Sequence, residues 1–439
     1  MIRKSLALAA LGCLAAGPAF AAAPAAPALL AHQAALELNE ASSAWILTST
    51  ALVLLMTLPG LALFYGGMVR RKNVIATIAH STAALAIVTV LWFVVGYSLS
   101  FGTGPEAVNG FVGGLQAAFL NGVTPTTAHS LAPGLPEFLW IAYQLTFAII
   151  TPALIAGAFA ERIKFSASIL FFFLWHLIVY APICHQVWGG GWLGSWGVLD
   201  FAGGAVVHVN SGVAGLVAAI VLGQRHGFGR DNMAPHNLAF TAIGTGLLFV
   251  GWLGFNAGSA WAADAIASVA ALNTILAAAA AAIGWTAVEW FHHKRPTLLG
   301  LLSGIVAGLV GITPAAGLVD PKGAFFIGIL SGPACYAGAV WLKKLLKYDD
   351  SLDAFGIHGI GGMVGAILTG VFASAAINPV GEGADVVKQI LGLLAVIAWS
   401  GVGTWVILMI CKFTTGLRVT KEDEIEGLDY TQHGETIHQ

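Results

Sequence analysis

The sequence predicts an all-α polytopic membrane protein of eleven transmembrane helices. Three observations predict this fold class. Of the 439 residues, 58% are hydrophobic and 9% are charged, whereas soluble domains carry about 25% charged residues. The apolar residues form segments long enough to cross a bilayer, and the basic residues concentrate in alternate connections between them. An ordinary soluble globular protein is therefore excluded.

The beginning of the chain has the features of a cleavable signal peptide, which we place at residues 1–22. Arg3 and Lys4 precede an apolar run, Ser5–Ala16, and small residues follow it. The run is shorter than the roughly 20 residues of a transmembrane helix, which favours cleavage over an uncleaved first span. Residues 23–43 are then expected to form a periplasmic segment.

Eleven apolar segments follow, and together they define a predicted transmembrane domain at residues 44–415. Each is longer than the alternating strands of about 10 residues that build membrane barrels, so helices are predicted. Charges, Gly/Pro clusters and polar loops separate the segments. Their predicted limits are 44–68, 73–100, 136–160, 163–185, 202–224, 235–258, 262–291, 297–318, 323–346, 354–376 and 384–415. Residues 416–439 are predicted to form a cytoplasmic regulatory tail.

The distribution of basic residues predicts the orientation. Lysine and arginine favour the cytoplasmic side of membrane proteins. Fifteen basic residues fall in or beside alternate connections, and only Lys322 and Lys388 fall in the opposite set. Eleven spans with the N-terminus outside and the C-terminus inside satisfy both this bias and the signal peptide.

Two histidines lie within predicted spans, where an ionisable group costs roughly 2.5 kcal/mol or more. His208 is in the fifth span and His358 is in the tenth. Each therefore occupies the last span of a five-span half, which suggests related halves with a site near the bilayer midplane. The alternative is two unrelated core histidines, each satisfied by a backbone carbonyl; the matched placement favours the paired site.

Polar residues also occur at span ends. Trp188 opens a glycine-rich connection, and Asp200 precedes another. A tryptophan at this depth is usually an interfacial anchor, but its face can also attract a cation. We expect Asp200 to hold the glycine loop by accepting backbone N–H groups. Asp349 and Asp350 are expected to be helix-capping or solvent-exposed charges.

Several function classes lack support in the sequence. A net charge of -2 gives no basic field for nucleic acid. The four cysteines have neither disulfide nor metal spacing. G-x-S-x-G, Walker and H-E-x-x-H motifs are missing. No enzyme activity, catalytic residue, cofactor or metal is predicted.

Several longer motifs occur in a characteristic order. They are Pro59–Gly67, Ala160–Ile163, Val187–Gly191, Asp200–Gly204, Pro235–Asn237, Gly254–Ser259, Gly311–Pro314 and Phe355–Gly359. With them the chain resembles the ammonium transporter (Amt/Mep/Rh) family, and within it the bacterial AmtB-type ammonium channels. The resemblance runs from about Ala51 to Glu435.

The resemblance implies a homotrimer in the bacterial inner membrane, surrounded by membrane lipid, with one pore per subunit. It also implies that the eleven helices of each subunit are arranged as two inverted five-helix repeats plus a final helix. The implied roles follow motif positions: Trp188, Phe147 and Ser259 as the outer ammonium site, Phe147 and Phe255 as the gate, His208 and His358 as the pore histidines and proton relay, and Asp200, Trp252 and Thr313 as supporting residues. Tyr143 departs from the pattern, because the well-known bacterial members carry phenylalanine there. His176 has no implied role.

The implied function is ammonium transport. Ammonium would be recruited outside and deprotonated, and ammonia would pass into the cytoplasm with separate proton transfer. The tail would bind a PII-type regulatory protein. Two alternatives stay open: an ammonium sensor or transceptor, and an Rh-like electroneutral channel for ammonia or carbon dioxide. Only about two dozen residues follow the last span, too few for a fused sensor domain, and Trp188 argues against the gas channel.

Overall fold

The computed structural model describes residues 29–437, and almost all of its regular structure is helical. The predicted signal peptide at residues 1–22 lies outside the described residues. So do residues 23–28 of the predicted periplasmic segment.

The helices coincide with the eleven predicted segments. We number them α1 Glu40–Met68, α2 Arg71–Phe101, α3 Glu137–Phe159, α4 Phe165–Trp196, α5 Gly204–Leu222, α6 Leu238–Gly258, α7 Ala265–His293, α8 Leu298–Ile312, α9 Pro321–Leu346, α10 Phe355–Phe372 and α11 Val386–Thr414. Helix α4 is interrupted at residues 188–191. Ten of these helices are long and apolar enough to cross a membrane. The fold class is confirmed; the count of eleven spans and the orientation stay predictions.

Helix α8 falls furthest short of its predicted segment. It ends at Ile312, and residues 313–318 form turns instead of continuing to the predicted end at residue 318. Thr313 and Pro314 begin this turn region. Thr313 still has α-helical dihedral angles, but Pro314 has no backbone N–H with which to continue the helical hydrogen bonds.

A two-stranded antiparallel sheet accompanies the helices. Strand β1, Gln33–Ala35, pairs with β2, Thr127–His129. Strands of three residues are too short to give a readable alternation of apolar and polar side chains. Gln33 also donates a hydrogen bond of 2.7 Å to buried Glu137 at the start of α3. The segment before α1 is thereby attached to the helical core.

The two halves meet where α5 crosses α10, and the backbones touch there. A Cβ atom built on Gly212 would lie 2.2 Å from the backbone nitrogen of Gly359. Only a residue without a side chain permits that approach. Small residues have this role in membrane helices because hydrophobicity supplies no driving force between helices in lipid.

A buried network of ion pairs joins the connections at the predicted cytoplasmic side. The Glu161 carboxylate forms ion pairs with Arg70 at 2.8 Å and with Arg225 at 3.1 Å. Arg225 also forms an ion pair with Asp349 at 2.8 Å. The expectation that Asp349 is a cap or a solvent charge is wrong, because its side chain is fully buried against Arg225. Sequence distance hid this pairing, since 124 residues separate the two.

The charges in this network shift the pKa values of its carboxyl groups. Burial raises the pKa of Glu161, but the charges of Arg225 and Arg70 outweigh it and hold the pKa below its ordinary value. Burial also raises the pKa of Asp349, but hydrogen bonds and the charge of Arg225 outweigh it, so this pKa too lies below its ordinary value. Both groups are therefore carboxylates at neutral pH.

The tail packs against its own chain through α12 Lys421–Glu426 and α13 Leu428–His433. Asn73 accepts the Leu428 N–H at 2.9 Å, and Asp429 accepts the Ala76 N–H at 2.8 Å. Glu424 accepts the His226 N–H at 2.9 Å. These contacts tie the tail to α2 and to the connection after α5.

Candidate functional site

The helices that carry the two span histidines begin in the same way. The backbone N–H groups of residues 203, 204, 205 and 206 donate hydrogen bonds to the Asp200 carboxylate, at 2.9, 2.6, 2.9 and 3.0 Å respectively. Asp350 likewise accepts the N–H groups of Ala354 at 3.1 Å and Phe355 at 2.8 Å. A carboxylate is favourable there because it accepts N–H groups that lack partners in the helix.

Each capping carboxylate is followed eight residues later by a histidine, His208 or His358. Both histidines lie in π-helical first turns, Gly204–Val209 and Phe355–Gly359. Short π-helical stretches are frequent at functional sites. Asp350 is thus a helix cap, one of the two roles expected for it from the sequence. Its equal spacing to a histidine is a sequence signal that our interpretation missed.

The two histidines form a pair. Their Nδ1 atoms are 3.3 Å apart, and their rings are nearly parallel at a centroid distance of 5.3 Å. In such a contact one Nδ1 donates and the other accepts, so the two rings cannot both be cationic. Within residues 29–437, Nε2 of His208 is buried and has no hydrogen-bond partner. This atom is available to a small polar molecule beside it.

A cavity of about 630 Å³ opens at the predicted outer side, and we call it the vestibule. Its lining includes Trp188, Asp200, Ser259, Trp261 and Lys388. Trp188 donates its indole N–H to the Asp200 carbonyl at 2.8 Å, which fixes the ring. Ser259 donates to the Phe255 carbonyl at 2.8 Å. The Ser259 oxygen therefore keeps lone pairs for an N–H donor.

Two phenylalanines separate the vestibule from the histidines. Phe147 and Phe255 stack with a centroid distance of 4.1 Å. Phe147 contacts Trp188 edge-on at 5.9 Å, and Phe255 lies 6.0 Å from His208. The four aromatic rings thus form one continuous series from the vestibule inward.

Beyond the phenylalanines lies a narrow cavity of about 10 Å³, which we call the lumen. That volume corresponds to about one water-sized sphere. Both histidines and Trp252 line the lumen, and its other walls are mostly aliphatic. Trp252 stacks on His208 at 5.3 Å and donates to Thr313 at 2.9 Å. Thr313 thus holds the tryptophan that packs on the histidine.

Tyr143 lies behind the vestibule wall. Its hydroxyl is 3.0 Å from the Gly254 carbonyl, 2.9 Å from the Phe255 carbonyl and 3.3 Å from the Ser259 oxygen. It thus braces the end of α6, which a phenylalanine would do only by packing. Sequence reasoning noted the tyrosine but could not identify these acceptors.

The structure also shows which residues line the two cavities and which do not, a distinction that the sequence could not make. Lys388 lines the vestibule although nothing in its local pattern indicates that position. His176 is buried against Trp92 and Tyr180, with ring centroids 6.0 and 5.6 Å away, and lines neither cavity. Among the described residues, no group of three or more His, Cys, Asp or Glu could hold a metal ion.

Comparison with known proteins agrees with this architecture. The family model described as Ammonium Transporter Family matches residues 44–438. An ammonium transporter of Bacillus subtilis (strain 168) is 49% identical over 402 residues, covering 88% of this chain and 96% of the relative. One from Aquifex aeolicus (strain VF5) is 46% identical, covering 92% and 95%.

Solved structures are similar as well. The crystal structure of Saccharomyces cerevisiae Mep2 matches with a TM-score of 0.80 and 37% identity, covering 88% of this chain and 91% of that one. A structure named Sensor Amt Protein matches with a TM-score of 0.82 and 28% identity, covering 90% and 98%. With a family model over most of its length and relatives of nearly half identical sequence, this chain belongs to the ammonium transporter family.

Proposed function

We propose that the chain recruits ammonium in the vestibule, deprotonates it and conducts ammonia through the lumen into the cytoplasm, with separate transfer of the proton. The observation that carries this proposal is the series Trp188, Phe147, Phe255 and His208, in which each ring contacts the next. Its outer end borders an open cavity and its inner end a narrow one.

Recruitment requires discrimination between ammonium and potassium, which are similar in size. Aromatic faces attract both cations. Ammonium is also a hydrogen-bond donor, and the free lone pairs of Ser259 can accept from it. The outer site therefore combines the rings of Trp188 and Phe147 with the Ser259 oxygen, and Asp200 supports it by holding both Trp188 and the following loop.

Deprotonation follows from the nature of the lumen. A cation that enters a narrow aliphatic cavity loses its hydration, which favours the neutral form. Neutral ammonia both donates and accepts hydrogen bonds, so it can interact with Nε2 of His208. The linked Nδ1 atoms of His208 and His358 offer a proton a path that the ammonia molecule need not share.

We extend the proposal to the assembly. The chain would form a homotrimer in the bacterial inner membrane, with the N-terminus periplasmic after signal cleavage and the C-terminus cytoplasmic. Residues 44–415 would be the transport domain. Residues 416–439 would be a regulatory tail that, with the connection at residues 225–229, meets a PII-type protein. The contacts between Arg418 and the Leu222 carbonyl, and between Glu424 and His226, support a joint surface.

The experiment is a current measurement on a solid-supported membrane. Purified protein in liposomes receives a pulse of ammonium, potassium or methylammonium, and empty liposomes provide the control. We expect a transient current for ammonium and none for potassium. Equal currents for both ions would contradict the outer site.

The same liposomes distinguish the alternatives. If ammonium gives no current, an internal pH dye reports whether uncharged ammonia enters. Dye response without current would indicate the electroneutral gas channel. Neither signal, in protein that still binds ammonium, would indicate a sensor, the class named by one of the similar structures.

A further inference from the structure

Trp261 lines the vestibule, and the proposed function gives this residue no role. It follows Ser259 by two residues, in the connection between α6 and α7, and its side chain is half-buried. Trp188 and Phe201 line the same cavity. The wall of the vestibule therefore carries aromatic rings beyond the one tryptophan that the outer site uses.

The backbone of Trp261 lies in the left-handed region, with φ at 58°. This conformation is strained for a bulky residue, and glycine would adopt it freely. Such strain persists where the surroundings fix a residue, and it concentrates at ligand sites. The chain thus keeps an indole at a position where the backbone alone would favour glycine.

A stack of rings holds this indole in place. Trp140, which is fully buried, contacts Trp261 edge to face with the ring centroids 4.7 Å apart. His129 stacks on Trp140 at 4.9 Å with the ring planes 10° apart. His129 belongs to β2, where it pairs with Gln33 of β1. The segment before α1 thereby helps to fix a side chain of the vestibule wall.

The indole of Trp261 is suited to contact a cation. An indole has two faces, and an edge-to-face contact with Trp140 occupies at most one of them. The half-buried ring therefore keeps surface for the contents of the cavity that it lines. Aromatic faces attract cations, and tryptophan attracts them most strongly.

The vestibule is also much larger than an ammonium ion requires. Its volume is about 630 Å³, whereas a water molecule, which is close to ammonium in size, occupies about 30 Å³ of the liquid. Leu131, Ile266 and Leu318 add apolar surface to its wall. A cation that carries methyl groups can use this space and surface, and ammonium itself cannot.

We propose that Trp261 is a specificity-determining residue of the vestibule, which strengthens the binding of methylated ammonium ions more than the binding of ammonium. The inference extends the outer site of the proposed function and rests on it for the place where ammonium binds. Ammonium donates a hydrogen bond to Ser259, whereas a fully methylated ion has no N–H and depends on aromatic faces. Such an ion has no proton to release either, so it stays in the vestibule and competes with ammonium. Lys388 repels both ions and does not distinguish them.

Saturation-transfer-difference NMR on the full-length protein in deuterated detergent tests the proposal, with the methyl protons of tetramethylammonium as the probe. tert-Butanol, which is neutral and similar in shape, is the second probe. Ammonium chloride added as a competitor gives the ammonium affinity in the same sample without any transport. Sodium chloride keeps the ionic strength constant.

The test variant is Trp261→Leu, and Trp261→Phe is the conservative variant. Both keep a Cβ and therefore the backbone strain, so they differ from the wild type only in the side chain. Trp196→Leu is the matched control, because Trp196 is a 40% exposed tryptophan of the predicted outer side that stacks on Trp192 and does not line the vestibule. Thermal unfolding verifies that each variant is folded.

We expect Trp261→Leu to bind tetramethylammonium about fivefold more weakly than the wild type, the usual contribution of one aromatic face, and to change the ammonium affinity less than about twofold. Trp261→Phe retains most of the tetramethylammonium affinity, and Trp196→Leu behaves like the wild type. Unchanged tetramethylammonium binding in Trp261→Leu would overturn the proposal. So would equal losses for both ions, which indicate a deformed vestibule, or wild-type binding of tert-butanol as tight as that of tetramethylammonium.

The binding measurement also separates this inference from the transport proposal. If liposomes show no ammonium current, the transport proposal fails, but a loss of tetramethylammonium binding confined to Trp261→Leu still supports the role of this residue.

Discussion

His208 and His358 share one hydrogen bond inside an aliphatic lumen, and removal of either ring interrupts the only polar stretch of wall described there. We predict that His208→Ala lowers the ammonium current at least about tenfold, the effect of roughly one lost hydrogen bond to a desolvated group. The solid-supported-membrane assay measures it. His176→Ala is the control, since it also removes a buried histidine, but one that does not line the lumen. Wild-type currents in the His208 variant would contradict the paired role.

Lys388 places a positive charge in the cavity that is proposed to collect a cation. Two unit charges about 10 Å apart in water interact by about 0.4 kcal/mol, which is about a twofold change in affinity. Lys388→Gln is therefore predicted to lower the half-saturating ammonium concentration about twofold at low ionic strength. The difference disappears near 1 M salt, where the Debye length is about 3 Å.

The control for that measurement is Lys322→Gln. Lys322 is the other basic residue of the predicted outer side, and it does not line the vestibule. A general surface effect would change both variants alike. An unchanged ammonium dependence in Lys388→Gln at low salt would show that the charge is too far from the site to matter.

These residues differ in how far the sequence revealed them. The histidines were identifiable because an ionisable group inside an apolar span is costly. The outer residues came from motif resemblance. Asp350 caps a helix through partners four and five residues away, which is one of the two roles expected for it from the sequence. Tyr143 and Lys388 acquire their positions only through folding, since the partners of one and the cavity of the other come from distant segments.

The crossing of α5 and α10 depends on backbone contact at Gly212. Gly212→Ala adds a Cβ where a backbone nitrogen lies 2.2 Å away, and overpacking of this kind costs about 1–3 kcal/mol. We predict a lower unfolding temperature in detergent, together with a reduced current, because the same crossing positions both histidines. Gly246→Ala on α6 is the control, since its Cβ would meet nothing within 4 Å.

The ion-pair network between connections predicts a response to acid. Glu161 and Asp349 have lower pKa values in the folded state than in the unfolded chain. Their stabilisation is therefore complete above about pH 4, the ordinary carboxyl pKa, and is lost as the pH falls through the folded values. Scanning fluorimetry from pH 7 to pH 3 should show the unfolding temperature of the wild type falling below about pH 4.

Arg225→Gln tests the origin of that response. The substitution removes the shared partner of two buried carboxylates, which lowers the free energy of unfolding by about 3–5 kcal/mol at neutral pH. It also makes the fall of the unfolding temperature with decreasing pH shallower. Arg230→Gln, in the same connection but exposed and outside the described ion pairs, should behave like the wild type. An identical pH profile in Arg225→Gln would exclude the network as the cause.

The orientation of the whole molecule can be tested with introduced cysteines, because Cys184, Cys335 and Cys411 are buried. We predict that a membrane-impermeant maleimide labels Lys322→Cys in intact cells and labels Lys421→Cys only after permeabilisation. Both positions are exposed, and the unsubstituted protein gives the background. The reverse labelling pattern would contradict the outward N-terminus and inward C-terminus.

The sequence by itself determined the class of fold, the approximate limits of the helices and the positions of the two span histidines. It could do so because a bilayer requires long apolar segments and makes every ionisable residue within them conspicuous. These are local properties, readable from composition and spacing.

Tertiary structure decided which residues meet. It joined Arg225 to Glu161 and Asp349, set Lys388 beside the vestibule and brought two histidines 150 residues apart into hydrogen-bond contact. In the sequence each helix is uniformly apolar, so periodicity does not tell which face meets which neighbour. That choice follows from close packing at glycines and from pairing of buried polar groups, both of which depend on segments distant in the chain.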